Sequence, residues 1–150
     1  NTGVYTPRPS VATIANAMDV GDPSNFARIM DLFGIYDDKH QAICQRISGY
    51  RFTDEEIEHT IRYVYKNDGY LLDPHGACGY QALIQNGLDT DETGLFLETA
   101  HPAKFKDTVN RILGADIEIP AKLRAFMEGS KQSIELDKEF DTFKSYLLKQ

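Results

Sequence analysis

An α/β fold, rich in helix and with a small parallel sheet of about three strands flanked by helices, is what this sequence of 150 residues predicts. Two observations carry the prediction. Short apolar runs at 11–15, 70–72 and 95–97 are bounded by turn residues and fit buried strands. After each run comes a polar residue, a proline and a helical stripe, as Asp22-Pro23, Asp73-Pro74 and His101-Pro102. Proline suits the first helical position, where the N–H has no intrahelical partner. Strands alternating with helices are the pattern of a parallel sheet. The length suits one domain over 1–150 with a core of its own.

The elements follow in order. Pro7 and Pro9 keep residues 1–10 extended, and Val11, Thr13 and Ile14 supply the β-branched residues of a first strand. Asp22 is placed to cap a helix whose stripe is Phe26, Ile29, Met30 and Phe33, with Gly34 after it. A small helix over 38–48 turns Ile43 and Ile47 inward. Thr53-Asp54-Glu55-Glu56 is a capping box, and Ile57, Ile61, Val64 and Tyr65 form the buried face behind it. Asp73-Pro74 opens a helix that Gly87 ends. Its early residues, His75-Gly76-Ala77-Cys78-Gly79, are small, and two glycines there cost about 1 kcal/mol each relative to alanine. Such a cost implies that a ligand or another backbone comes close. Phe105, Val109, Ile112 and Leu113 make the next stripe, stopped by Gly114. Ile119-Pro120 starts a helix carrying Leu123, Phe126 and Met127, and Asp137 can cap a last one bearing Phe140, Phe143 and Leu147.

Charge and composition exclude several classes. A net charge of −7 without a basic cluster argues against nucleic acid and anionic membrane as partners. No run of about twenty apolar residues exists to span a bilayer. Two cysteines, Cys44 and Cys78, are too few for a disulfide framework and point to a reducing compartment, the cytoplasm.

The chemistry-bearing residues concentrate at 98–104, a strand-to-helix corner holding Thr99, His101 and Lys104. In open α/β sheets ligands collect at such corners, where helix N-termini present free N–H groups. A plain structural turn, with Thr99 as the cap, fits the same residues. If the three polar-Pro helix starts are neighbours, their ends converge on a rim suited to an anion such as phosphate. Asp73, His75, Cys78 and His101 match no zinc spacing, so no metal is expected. His75 and Cys78, three apart on one helix face, read either as base and thiol nucleophile or as packed small-helix residues.

Two longer stretches carry a resemblance. ATIANAMDVGDPSN (12–25) and LETAHPAKFKDTV (97–109) resemble signatures of the carboxy-terminal part of threonine synthase, and DPHGACGYQAL (73–83) is similar to a segment between them. The resemblance covers the whole chain. It implies a fragment of the catalytic domain of a pyridoxal-phosphate enzyme with the tryptophan-synthase-like type II fold, a lyase of threonine biosynthesis. The family converts O-phosphohomoserine and water to threonine and phosphate. Thr99 then matches the threonine whose hydroxyl meets the pyridine nitrogen of the cofactor. Ser24, Asn25, His75 and His101 are candidates for substrate contacts. Neither the family's Schiff-base lysine segment nor its Asn-Phe-Gly phosphate loop has a match in the chain, so no catalytic residue is assigned, and Lys104 belongs to the HPAKF helix. The sequence also opens without an initiator methionine. A carboxy-terminal fragment is expected, inactive by itself, whose partners are the missing amino-terminal part and, through the apolar surface left bare, other copies of itself. The alternative is a free-standing anion-binding or regulatory domain on the same scaffold.

Overall fold

The computed structural model describes residues 3–16 and 19–149. Asn1 and Thr2, Ala17 and Met18 within the first motif, and Gln150 lie outside the described residues. The chain divides into two compact units, Asn1–Ile117 and Glu118–Gln150.

In the first unit the helices are α1 (Phe26–Leu32), α2 (Lys39–Cys44), α3 (Asp54–Asp68), α4 (Pro74–Asn86) and α5 (Lys106–Leu113), the last entered through a 3₁₀ turn, Pro102–Phe105. The second unit holds α6 (Ala121–Met127) and α7 (Phe140–Leu147).

The expected parallel sheet is absent. Among the described residues there is no strand, and the fold is helices joined by irregular segments. A strand exists only through a neighbour that accepts and donates its backbone hydrogen bonds, and none of the three apolar runs pairs its backbone with another. Ile14 and Ala15 form a turn, with the Ile14 N–H donating to Asp54 Oδ1 at 3.2 Å. Residues 94–100 keep the two-residue rhythm of a strand: Gly94, Phe96, Glu98 and Ala100 are half-buried while Leu95, Leu97 and Thr99 are exposed. That rhythm comes from lying on α4, and the outer side is bare, with Leu95 87% and Leu97 79% exposed. Apolar runs of three to five residues identify extended chain and do not supply a partner for it.

Where local chemistry decides, the elements form as read. At the start of α3 the Thr53 hydroxyl accepts from the Glu56 N–H, and the Glu56 carboxylate accepts from the Thr53 N–H at 2.7 Å. Gly69, with φ 66°, closes the helix in the left-handed region where a side chain would be strained. Ile57, Ile61 and Val64 of α3 meet Leu72, Ala77 of α4 and Ile112 of α5 in one core. Each fully buried aliphatic side chain contributes roughly 1.5–3 kcal/mol. Across its rim, Arg62 Nε donates to the Ile112 carbonyl at 2.9 Å, and Glu58 pairs with Arg62 at 2.9 Å and Arg111 at 2.7 Å.

Other elements are shorter or barer than expected. Asp22 does not cap α1; it accepts from the Tyr5 hydroxyl at 2.7 Å, and Tyr5 stacks on Phe26 at 4.4 Å. α2 stops at Cys44 and leaves Ile47 exposed. In the second unit the expected stripes are open to solvent, Phe126 at 85% and Phe140 at 73%. There the Asp137 carboxylate accepts from the Glu139 N–H and the Thr142 hydroxyl.

The small residues of α4 have a visible reason. A Cβ built on Gly76 would overlap the Glu98 carboxylate, and one on Gly79 would sit 3.6 Å from Phe96 Cβ. What comes close to the helix is its own chain. Gly76→Ala should therefore lose stability on balance by about 1 kcal/mol, overpacking of about 1–3 kcal/mol exceeding the roughly 1 kcal/mol gained in helix propensity. In a Glu98→Ala background the same substitution should instead stabilise, a reversal read from two pairs of urea unfolding curves.

Candidate functional site

Residues 98–102 and 70–71 enclose a cavity of about 430 Å³ lined by Tyr70, Leu71, Glu98, Thr99, Ala100, His101 and Pro102. Its two walls are the segments that lead into α4 and into the 3₁₀ turn. Both helical starts are capped from within. The Asp73 carboxylate accepts from the His75 N–H at 2.8 Å, with Pro74 next in the first turn. His101 Nδ1 accepts from the Ala103 N–H at 3.1 Å, with Pro102 following it. The His101 imidazole, and not Thr99, is the cap, which leaves the Thr99 hydroxyl exposed on the cavity wall. With both ends filled by their own side chains, and α1 lacking any side-chain cap, no rim of three free helix termini forms.

The two histidines are fixed in opposite senses. His101 Nδ1 accepts a backbone hydrogen bond, so its neutral ring carries the proton on Nε2 and offers a donor. His75 Nδ1 lies 3.1 Å from Asp73 Oδ1 and donates to it, leaving Nε2 as an acceptor. The His75 ring also packs on Phe105 at 5.2 Å. His101 lines the cavity, whereas His75 sits behind its wall. Ser24 and Asn25 are exposed at the start of α1 and are not among the lining residues. Lys104 is not among them either; its Nζ lies 5.7 Å from the Phe105 ring centroid.

Glu98 belongs to the corner read from the sequence, which gave it no role. Burial first, and the Asp73 charge second, push its carboxyl up to about 7. Asp73 Oδ2 and Glu98 Oε1 are both buried without a hydrogen-bond partner in the fold. Tyr70 and Leu71 were also missed as wall residues, although they precede Asp73-Pro74 as Ala100 precedes His101-Pro102. That repeated context was the available signal.

Two further hollows are less suited to polar ligands. One of about 270 Å³ lies over His59, Tyr63, Tyr80 and Ile84, and one of about 340 Å³ over Tyr5, Phe26, Met30 and Ile43. No group of three or more His, Cys, Asp or Glu residues that could hold a metal occurs among the described residues. Among the described residues no helix is long and apolar enough to cross a membrane.

The hollow is walled by a neutral hydroxyl and an imidazole donor, and no lysine lines it. The family model "Threonine synthase, C-terminal" matches residues 76–147. Threonine synthase of Haemophilus influenzae is 39% identical over 148 residues, covering 99% of this chain and 33% of that protein. The Escherichia coli enzyme is 40% identical over 122 residues, 81% of this chain and 27% of that protein. Among solved structures, threonine synthase from Escherichia coli superposes with a TM-score of 0.72 at 33% identity, covering 99% of this chain and 33% of that one. A PLP-bound threonine synthase from Brucella melitensis gives 0.74 at 29% identity, with 97% and 36% covered. The chain belongs to the threonine synthase family as the counterpart of its carboxy-terminal part, and spans about a third of the length of the curated relatives it matches.

The thiol separates this site from a cysteine hydrolase. Burial, with the Asp73 and Asp54 charges adding to it, pushes the Cys78 thiol up, away from the thiolate that attacks. The His75 ring that would have served as its base is held by Asp73. Iodoacetamide at neutral pH should label exposed Cys44 well ahead of Cys78, as peptide mass spectrometry over a time course would show; prior labelling of Cys78 would contradict this.

Proposed function

We propose that this chain supplies one wall of the pyridoxal-phosphate site of a threonine synthase, a lyase of threonine biosynthesis that converts O-phosphohomoserine and water to threonine and phosphate. The observation that carries the reading is the exposed Thr99 hydroxyl on the wall of the 430 Å³ cavity, within the segment that resembles the family signature.

The residues present suit the ring edge of that cofactor and only that edge. Thr99 offers a neutral hydroxyl, free because His101 has taken over the capping. No lysine lines the cavity to hold the cofactor covalently. When bound, pyridoxal phosphate supplies the electron sink for carbanion chemistry, which the protein orients and tunes. Thr99 donates to or accepts from the pyridine nitrogen without forcing its protonation, as a carboxylate would. His101 presents Nε2–H to an anionic group in the same hollow, such as the phosphate of the substrate. His75, Ser24 and Asn25 lie off the cavity wall, and a substrate contact through them requires surfaces outside this chain. The remainder of the enzyme, with the lysine and phosphate loop, is the first partner of this one, and a cytoplasmic setting agrees with the free thiols of Cys44 and Cys78.

In the full-length enzyme Thr99→Ala should lower kcat by on the order of tenfold, the loss of one hydrogen bond of about 1.4 kcal/mol. Thr99→Ser should keep most of the activity. An alanine variant with wild-type kinetics would remove the reading. The 150-residue chain alone, mixed with pyridoxal phosphate and borohydride, should give no stoichiometric adduct on one lysine. Leu95 and Leu97 in the first unit and Phe126 and Phe140 in the second are bare, and exposed apolar side chains favour association. Sedimentation of the isolated chain should show species larger than the monomer as concentration rises.

A further inference from the structure

We propose that Glu98 and Asp73 form a carboxylic acid–carboxylate pair, with Glu98 Oε1–H donating to Asp73 Oδ2, and that this one bond positions the corner bearing Thr99 against the start of α4. The geometry leaves two oxygens unaccounted for. Asp73 is fully buried, and its Oδ1 is used twice, by the His75 N–H and the His75 ring. Its Oδ2 is sealed from solvent without a partner, and so is Oε1 of Glu98. Buried polar atoms are almost always paired. A single proton between these two satisfies both, and neither oxygen needs any other atom.

Which side carries the proton follows from the surroundings. Asp73 accepts two hydrogen bonds on one oxygen and sits at the N-terminus of a thirteen-residue helix, where negative charge is favoured. The Glu98 carboxyl has one support, a hydrogen bond from the Asp73 backbone, which burial and the Asp73 charge outweigh, and its position is set by contact, since Gly76 leaves only the room its carboxyl fills. The groups acting on it are Asp73 from α4 and, through Asp73, His75; Cys78 on the same helix feels the Asp73 and Asp54 charges. On its own segment stand Thr99 and His101. No lysine or arginine among the described residues counters the acidic pair. Two carboxyl groups that share a buried pocket cannot both carry charge cheaply.

Thr99 is the next residue, on the opposite side of the same extended segment. Fixing the inner side chain therefore fixes the direction in which the outer hydroxyl is offered. Glu98 acts through Thr99 and is a positioning residue. Its link to Thr99 rests on the cofactor reading above; the shared proton does not.

Linkage gives the pair a pH signature. The carboxyl of Glu98 is raised to about 7 from an ordinary 4.5, so between those values the folded protein holds a proton that the unfolded chain has lost. Stability from the pair is complete below that window and falls as pH rises through it.

The test uses the full-length protein. Infrared difference spectra of wild type minus Glu98→Gln at pH 6 should show a carboxylic-acid C=O band that fades as pH rises through about 7. Asp73→Asn, whose amide can donate to an ionised Glu98, should shift that loss to lower pH. Glu98→Gln keeps the donor and should bind pyridoxal phosphate like wild type, with an unfolding midpoint that no longer falls between pH 5 and 8. Glu98→Ala should weaken cofactor binding on the order of tenfold, one hydrogen bond's worth. No acid band at pH 6, as a cation between two ionised carboxylates would give, overturns the pair. A band present with unchanged affinity in Glu98→Ala overturns the positioning role. If Thr99→Ala retains full activity while the band stands, the cofactor reading fails and the pair survives.

Discussion

The close approach of residues 94–100 to the glycine face of α4 is the constraint on which the site depends. It requires Gly76 on one side, because a Cβ there would overlap the Glu98 carboxylate, while Phe96 lies within ordinary contact of Gly79. It requires an apolar plate on the other, and Tyr80 against the Phe96 edge at 5.7 Å provides one. With the segment seated, the chain arrives at His101-Pro102 already turned toward α5, whose Val109 and Ile112 are buried. The cavity is the space left between that seated corner and the lead-in at 70–71. Glycine is usually a weak point in a helix. Here its cost is returned as contact between two segments more than fifteen residues apart.

The order in which the sequence could be read tracks the range of the forces involved. Capping is local. The Thr53–Glu56 box, the Asp73-Pro74 start and the Gly69 and Gly114 stops depend on residues within a turn of each other, and each forms as the residues dictate. Strand formation is not local, and three apolar runs without neighbours become extended chain with a strand's alternation and no ladder. Asp22 shows the same distinction at one residue. Its spacing to Pro23 suits a cap, but a tyrosine seventeen positions away claims its carboxylate first.

For the site, Thr99 and His101 were legible because they stand in a motif at a helix entry. Their roles were not, since either could have been the cap. The imidazole wins by reach, its Nδ1 bonding the Ala103 N–H two residues on, and that outcome is what frees the hydroxyl. Glu98 could be placed in the corner from the sequence, but its role could not. An acidic residue after a short apolar run reads as a solvated strand end, and only the packing of α4 reveals that one of its oxygens is sealed beside a second buried carboxyl.

Membership of the family and the shape of the wall then explain each other. A ring edge needs a rigid, neutral contact, and a hydroxyl on a loop would ordinarily be too loose to provide it. Placing Thr99 one residue from a side chain wedged against Gly76, and two from a helix cap, removes that freedom from both directions. The same seating leaves Leu95 and Leu97 facing outward with Thr99, so the bare surface of this chain runs along the side that offers the hydroxyl. Inner contacts fix the geometry of the corner, and the outer side stays bare in a chain that spans about a third of the length of its relatives. On the reading proposed above, that inner packing alone presents the Thr99 hydroxyl to the cofactor, with no lysine in the hollow to hold it.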